Sequence, residues 1–286
     1  DTNKDNVTAK TTNNEQVVAS INKDDITADD LYDESTPYDG STIYNMYKNA
    51  VIDQSIKTTK DLKKQASTLE SNIKSNASSQ SDDYESTLTT ELAKYGYASY
   101  EELNDYCLTS VKEKEMNKKY ITKHFDEVKK AWEEKNPRTV SIIKMDVSDA
   151  DNLTETEAKK KSNIDKALEK ESFADVAKAF SEDSNTANKN GFAGYVDSNS
   201  TSSDSSSTST VPADVVTAAI GLKKGETSDL ITVTSSSGTS LYKVYVKETN
   251  SKKIFNAKSD TVSNQALYAI LNSDSSLSYK ILDSYA

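Results

Sequence analysis

The chain changes hydrophobic period twice, and this limits its folds more than any other feature. Up to Asn136-Pro137 apolar residues recur at helical spacing. From Val140 they alternate or cluster in short runs, and after Thr249 the helical spacing returns. A helix-period pattern does not serve as a strand. Proline marks the first switch because it lacks an N–H and pushes the preceding residue out of the helical region. The 286 residues are therefore expected to form an α+β protein. Its helical part comes from both ends of the chain, and a mixed unit is inserted between them.

Residues 1–14 lack apolar periodicity and read as a disordered tether. Val17, Val18 and Ile21 suggest an entry strand, and Thr27 an N-cap followed by the acids Asp29 and Asp30. Ile43, Met46, Tyr47, Ala50 and Val51, then Leu62, Ala66, Leu69 and Ile73, fill about 41–75 with one long helix or two. Tyr84, Leu88 and Leu92 mark another helix, closed near Gly96. Ser99 and Glu102 form a capping box ahead of Leu103, Tyr106, Cys107 and Val111. A last helix carries Phe125, Val128 and Trp132. Apart from the entry strand, 15–137 is thus read as all-helical. Residues 250–286 resume at Val262, Ala266, Leu267 and Ile270, then Leu277 and Ile281. Helices this short are marginal alone, so they are expected to pack back on the first helical region.

The middle, 138–249, reads as strand (Val140–Val147), helix (155–170) and short helix (Phe173–Phe180). A loop punctuated by Gly191 and Gly194 follows, then a third helix around Val215–Ile220 and two strands meeting at Ser237-Gly238. Within it, 198–210 is low in complexity and serine-rich, the mark of a flexible surface insertion.

Composition removes several functions. Acids outnumber bases 46 to 35, giving net −11, and Arg138 is the only arginine. Bidentate reading of phosphates and bases leans on arginine, so nucleic acid is not an expected partner. One cysteine, Cys107, excludes an internal disulfide and any multi-cysteine zinc site. One histidine, His124, excludes two-histidine zinc sites and paired imidazoles. No metal or cofactor is expected. No stretch approaches the ~20 apolar residues of a membrane helix.

The strings FADVAKAFSEDSNTANKNGFAGYV (Phe173–Val196) and VPADVVTAAIGLKKGETSDLI (Val211–Ile231) resemble the parvulin-type peptidyl-prolyl isomerase domain. They keep the family's Phe173, Ala177, Ser181, Gly191, Gly194, Ala218, Ala219, Leu222, Gly225, Glu226 and Ser228. The flanks agree. VVASINKDDITADDLYDE, GYASYEELNDYCLTSVKEKE and HFDEVKKAWEEKNPRTVSIIKM resemble the SurA-like chaperone core of the PrsA-type extracytoplasmic foldase lipoproteins. That resemblance implies a helical chaperone domain with an inserted parvulin domain, on the outer face of the cell membrane of a Gram-positive bacterium. It further implies an N-terminal lipid anchor on a cysteine preceding these residues. Its implied partners are unfolded or nascent secreted polypeptides, the membrane through that anchor, and a second copy as a homodimer.

Prolyl isomerisation breaks no covalent bond. The barrier is twisting a partial double bond, ~18–20 kcal/mol, so a catalyst must bind the twisted amide best. Family members are understood to use two histidines on adjacent strands, a Cys or Asp after the Ser-Asp/Glu pair, and a Met and a Phe lining the proline slot. Carried over by the resemblance, the first histidine is Ile142 here and the second Ser240. The acid is kept as Asp183, and the slot pair becomes Val211 and Val215. Asp183 is either a remnant catalytic carboxylate or a helix-end acid. Val211 and Val215 either line a shallow cleft or pack the domain's own core. His124 lies outside 138–249, so no alignment shift restores an imidazole.

For client binding, ten of sixteen tyrosines lie within 1–120, among them Tyr32, Tyr44 and Tyr47. Tyrosine offers a wide amphipathic contact at low entropy cost. The expected function is a folding factor that binds unfolded secreted chains, with an isomerase domain weak or silent. The alternatives are an active isomerase and a surface binding or adhesion lipoprotein.

Overall fold

The computed structural model describes residues 11–12, 15–21, 24–201 and 210–286, without the side chains of 12–16, 18–26 and 30–39. Residues 1–10 and 13–14 of the expected tether and most of the 198–210 insertion lie outside the described residues, as does the side chain of Tyr32, whereas 11–12, expected in that tether, are a strand paired with β2 (Glu15–Ile21). Thr11–Thr12 form β1 and Ser198–Thr201 a short 3-10 turn.

The chain divides into two compact units, Asp1–Lys119 with Tyr279–Ala286, and Tyr120–Ser278. In the first, β1, β2 (Glu15–Ile21) and β3 (Asp24–Thr27) form an antiparallel sheet in that order. Periodicity supplied the entry strand but not its return, because DDIT is too short and too polar to show alternation. Helices α1 (Ala28–Ser55), α2 (Lys60–Ser78), α3 (Tyr84–Ala93) and α4 (Leu103–Lys123) follow. The 41–75 pattern is thus two helices. Thr59 starts the second by accepting a hydrogen bond from the Leu62 N–H at 3.2 Å. Val51, Ile52, Ile56, Leu62, Ala66, Leu92, Leu103 and Cys107 are buried. Lys112 buries its stem and pairs its ammonium with Asp53, tying α4 to α1. Gly96, at φ +86°, lies where a Cβ would come within 2.7 Å of Met46 Cγ.

The second unit centres on a four-stranded antiparallel sheet. Its strands are β4 (Arg138–Val147), β5 (Phe192–Val196), β6 (Ile231–Ser235) and β7 (Gly238–Glu248), in the order β5-β4-β7-β6. The side-chain alternation of β4 feeds two cores. Val140 and Ile142 join Val244, Val246 and Val196 beneath α8 (Ala213–Ile220), which contributes Val215, Val216 and Ala219. Ile143, Met145 and Val147 join Leu241 under α6 (Glu155–Leu168) and α7 (Phe173–Phe180), which contribute Ile164, Phe173, Val176 and Ala177. Both faces of the sheet are therefore covered near its centre. Each fully buried aliphatic side chain contributes roughly 1.5–3 kcal/mol.

This unit is wider than 138–249. Helices α5 (Phe125–Glu133), α9 (Ser251–Phe255) and α10 (Asp260–Ser273) belong to it. Trp132 is fully buried and donates from Nε1 to the Tyr195 hydroxyl at 2.8 Å, which in turn donates to Asp197 at 2.7 Å. Burial pushes the Tyr195 hydroxyl well above its ordinary pKa, so it stays a donor. Phe125 meets Phe255 at 5.5 Å, and Ser251 donates to Glu133 at 2.5 Å. The last helix, α11 (Leu277–Tyr285), carries Tyr279 against Tyr44 at 5.8 Å.

Candidate functional site

The sheet face under α8 is built in rows by the β4–β7 register. Ile142 is opposite Val244, Lys144 opposite Tyr242, and Asp146 opposite Ser240. The first row is apolar and closed. Ile142 is 2 % exposed and Val244 0 %, and above them Val211 is 5 % and Val215 0 %. Val211 and Val215 thus pack the domain's own core, and Ile142 lies in the same cluster.

The next two rows are polar. Lys144 pairs with Asp146 at 2.9 Å, and Asp146 accepts from the Ser240 hydroxyl at 2.7 Å. Partial burial pushes the Asp146 carboxyl up, but the Ser240 hydroxyl and Lys144 together pull it below the ordinary range. The hydrogen bond to Asp146 raises Lys144. The Tyr242 ring is buried between these groups. Desolvation raises its hydroxyl pKa, with Lys144 lowering it and Asp183 and Asp146 raising it.

The edge of β4 is completed from α7 onward. The Ser181 hydroxyl accepts from the Lys144 N–H at 3.1 Å, and the Glu182 N–H donates to the Lys144 carbonyl at 2.8 Å. Asp183 turns away from catalysis into a local turn. Its carboxylate accepts from the Asn185 N–H at 3.1 Å and from the Thr186 hydroxyl at 2.9 Å. Gly191 then brings the backbone back, with its carbonyl accepting from the Ile142 N–H at 2.8 Å. At φ +77°, a Cβ there would lie 2.6 Å from Ala177 Cβ and 2.7 Å from the Ile142 carbonyl. Only glycine fits that approach.

Of the residues singled out from sequence, the structure places Ile142, Ser240, Asp183, Val211 and Val215 around this one face. It also adds Tyr242. The strand register puts Tyr242, not Ser240, on the diagonal next to Ile142, since Ser240 is two same-face steps from Val244. His124 is elsewhere, stacked on Tyr120 at 4.3 Å with Nδ1 3.1 Å from Glu127. The face therefore presents no imidazole. It has an apolar floor already filled by protein, a lysine neutralised by its neighbour, and one tyrosine hydroxyl. Cys107 is inert: burial pushes its thiol to about 11.

In the helical unit the tyrosines divide. Tyr44 is half-buried against Tyr279, and burial raises its hydroxyl pKa. Tyr47, one turn on, is 53 % exposed and Met46 56 %. Asn45 and Asn49 donate to the carbonyls of Lys94 and Tyr95 at 2.9 and 2.8 Å. That holds Tyr95, 42 % exposed, beside α1. Tyr95 also meets Tyr106 at 5.3 Å.

Residues 142–245 match the Rotamase: PPIC-type PPIASE domain family. This part of the chain is similar to PPIC-type isomerase domains. Its sheet and three helices are those described above, and the matched span begins at the strand position where Ile142 stands. No curated protein sequence matches the chain. Among solved structures, PrsA of Bacillus subtilis is similar at 20 % identity and a TM-score of 0.41, covering 95 % of this chain and 91 % of that one. PrsA of Streptococcus pneumoniae is similar at 21 % identity and 0.37, covering 94 % and 92 %. A SurA-like chaperone of Campylobacter jejuni is similar at 19 % and 0.26, covering 90 % and 98 %. The PPIC-type match is what identifies the domain.

Proposed function

We propose that this protein is an extracytoplasmic folding factor. Its helical unit binds unfolded secreted polypeptides, while its PPIC-type domain is weak or silent as an isomerase. One observation carries the reading: the isomerase face has Ile142 and Tyr242 on its adjacent central strands, and its proline-slot positions, Val211 and Val215, are buried in the core. Lowering the barrier to amide rotation requires a shaped slot and preorganised donors beside the twisted bond. A filled slot supplies neither. Client holding needs adaptable apolar surface in water, and Met46, Tyr47, Tyr95 and Tyr279 provide it. We further propose anchoring to the outer face of the membrane through an N-terminal lipid, in keeping with the absence, among the described residues, of a helix long and apolar enough to cross a membrane. Self-association as a homodimer belongs to the same reading.

The test is suppression of aggregation of a chemically unfolded secreted protein by the full chain. The expected result is suppression that Met46→Ser, Tyr47→Ser and Tyr95→Ser together abolish while the fold persists. Undiminished suppression by that variant would contradict the assignment to α1.

A second reading, residual isomerase activity, is favoured by Tyr242, which is paired opposite Lys144 and carries a hydroxyl on the same face as Ile142. It requires that Tyr242→Phe lower a measurable rate.

A further inference from the structure

In the helical unit Lys48, Lys74, Lys94, Lys112 and Lys119 pair with Glu113, Glu70, Glu91, Asp53 and Glu115. Four other lysines do not. Lys57, Lys60, Lys63 and Lys64 are exposed and form no ion pair among the described residues. They fill four of the eight positions 57–64, where Asp61 is the one acid. Asp61 accepts from the Gln65 amide at 2.8 Å. Four bases against one acid leave this stretch positive, on a chain whose net charge is −11.

Helix geometry gathers the charge on one side. At 3.6 residues per turn, Lys60, Lys63, Lys64, Ser67 and Ser71 fall within about 100° of one another around α2. Leu62, Ala66, Leu69 and Ile73 take the other side, and Leu62 and Ala66 are buried there. Ser67 and Ser71 donate to the carbonyls of Lys63 and Ser67, at 3.1 and 2.9 Å. Glu70, at the border of the charged side, is already held by Lys74 and Asn104, both at 2.6 Å. The outward side of α2 is thus cationic and hydroxylated, with no aromatic or aliphatic side chain to insert or to stack.

The residue type narrows the partner. Lysine is a point charge on a flexible stem and lacks the fork with which arginine grips a single carboxylate or phosphate. Several ammonium groups spread over a convex helix face suit many anions laid out in a plane, not one anion held in a cleft. Clusters of four or more lysines on an amphipathic helix are the usual footprint of a protein on acidic lipid. We infer that residues 57–64 and the outward side of α2 dock on a membrane surface bearing anionic phosphate headgroups. The contact is electrostatic and peripheral, because the apolar side of α2 is spent on the protein's own core. The same surface repels the acidic remainder of the chain, so the helical unit meets it with α2 foremost. This inference rests neither on the folding-factor reading nor on an N-terminal lipid.

The test is co-sedimentation of the full chain with vesicles of phosphatidylcholine alone, or of phosphatidylcholine with about one-third phosphatidylglycerol. At about 0.1 M salt the screening length is about 10 Å, so the lysines nearest the surface dominate. Binding is expected only with phosphatidylglycerol, and about 0.5 M salt should release it. Lys60→Gln, Lys63→Gln and Lys64→Gln together should weaken it at least about tenfold. Glutamine nearly matches lysine in helix propensity, so the helical spectrum should not change. Lys166→Gln, Lys170→Gln and Lys178→Gln remove equal charge from exposed positions of the other unit and should leave binding within about twofold. Equal sedimentation with both vesicles, none with either, or equal losses in the two triple variants overturns the proposal. So does binding of soluble inorganic polyphosphate through the α2 lysines without binding to vesicles, since a free phosphate polymer would then be the occupant. Aggregation suppression is read separately, and its absence would remove the folding-factor reading without touching the vesicle result.

Discussion

The two compact units differ in which large apolar groups they leave exposed: Met46, Tyr47, Tyr95 and Tyr279 in the helical one, Leu230 and Tyr268 in the sheet-centred one. In the sheet-centred unit three of the five positions carried over from the isomerase family, Ile142, Val211 and Val215, are buried in one core cluster, while Asp183 and Ser240 are partly exposed. In the helical unit, Met46 and Tyr47 remain in water although the same helix buries Ile52 completely, and Tyr95 and Tyr279 are exposed as well. Keeping large apolar groups wet has no folding benefit, whereas filling a slot with valine does.

The strongest way to break this contrast is to unfold one unit and leave the other. Trp132→Ala removes a fully buried ring and its hydrogen bond to Tyr195, and about 3–5 kcal/mol of destabilisation is expected. Calorimetry should show the loss in the transition of the sheet-centred unit only. A uniform shift of all transitions would mean that the units fold as one.

Gly191→Ala comes next. The added methyl meets Ala177 Cβ and the Ile142 carbonyl and must also adopt φ +77°, at a cost of about 1–3 kcal/mol. Chemical denaturation measures it.

On the helical side, Met46→Ser with Tyr47→Ser should change stability by no more than about 0.5 kcal/mol, as exposed positions do. It should nonetheless reduce aggregation suppression severalfold. A large stability loss would show these residues to be structural.

The smallest effect is electrostatic. Glu157 accepts from the backbone N–H groups of Thr154 and Ser148, at 2.8 and 2.7 Å, and these hold its pKa down to about 2. A carboxyl with a lowered folded-state pKa stabilises fully above its unfolded value, near 4.5, and the contribution fades as pH falls toward 2. Glu157→Gln should therefore narrow the stability difference between pH 6 and pH 2.5 slightly. Unchanged acid sensitivity would assign these hydrogen bonds to Glu157 no electrostatic role.

Much of the fold was legible in the sequence because its signals are local. Asn136-Pro137, the Ser99–Glu102 capping box and the Gly191 turn each mark a boundary that the structure keeps. The missing imidazoles were legible from composition alone. Two things were not. Tyr242 belongs beside Ile142 only through the antiparallel register, a pairing between residues a hundred positions apart that no local pattern encodes. The width of the sheet-centred unit was also hidden. Phe125, Trp132 and Phe255 show helical spacing but not which surface they bury, and here they pack with the sheet's own helices and Tyr195.

The central claim is a closed isomerase face. A protease-coupled proline-peptide assay on the full chain tests it most directly, since uncatalysed X-Pro exchange takes tens to hundreds of seconds and any catalysis stands out. The account predicts a rate at or near the uncatalysed one, unchanged by Asp183→Ala. A rate within about tenfold of an imidazole-bearing PPIC-type enzyme, lost in Tyr242→Phe or Asp183→Ala, would contradict it.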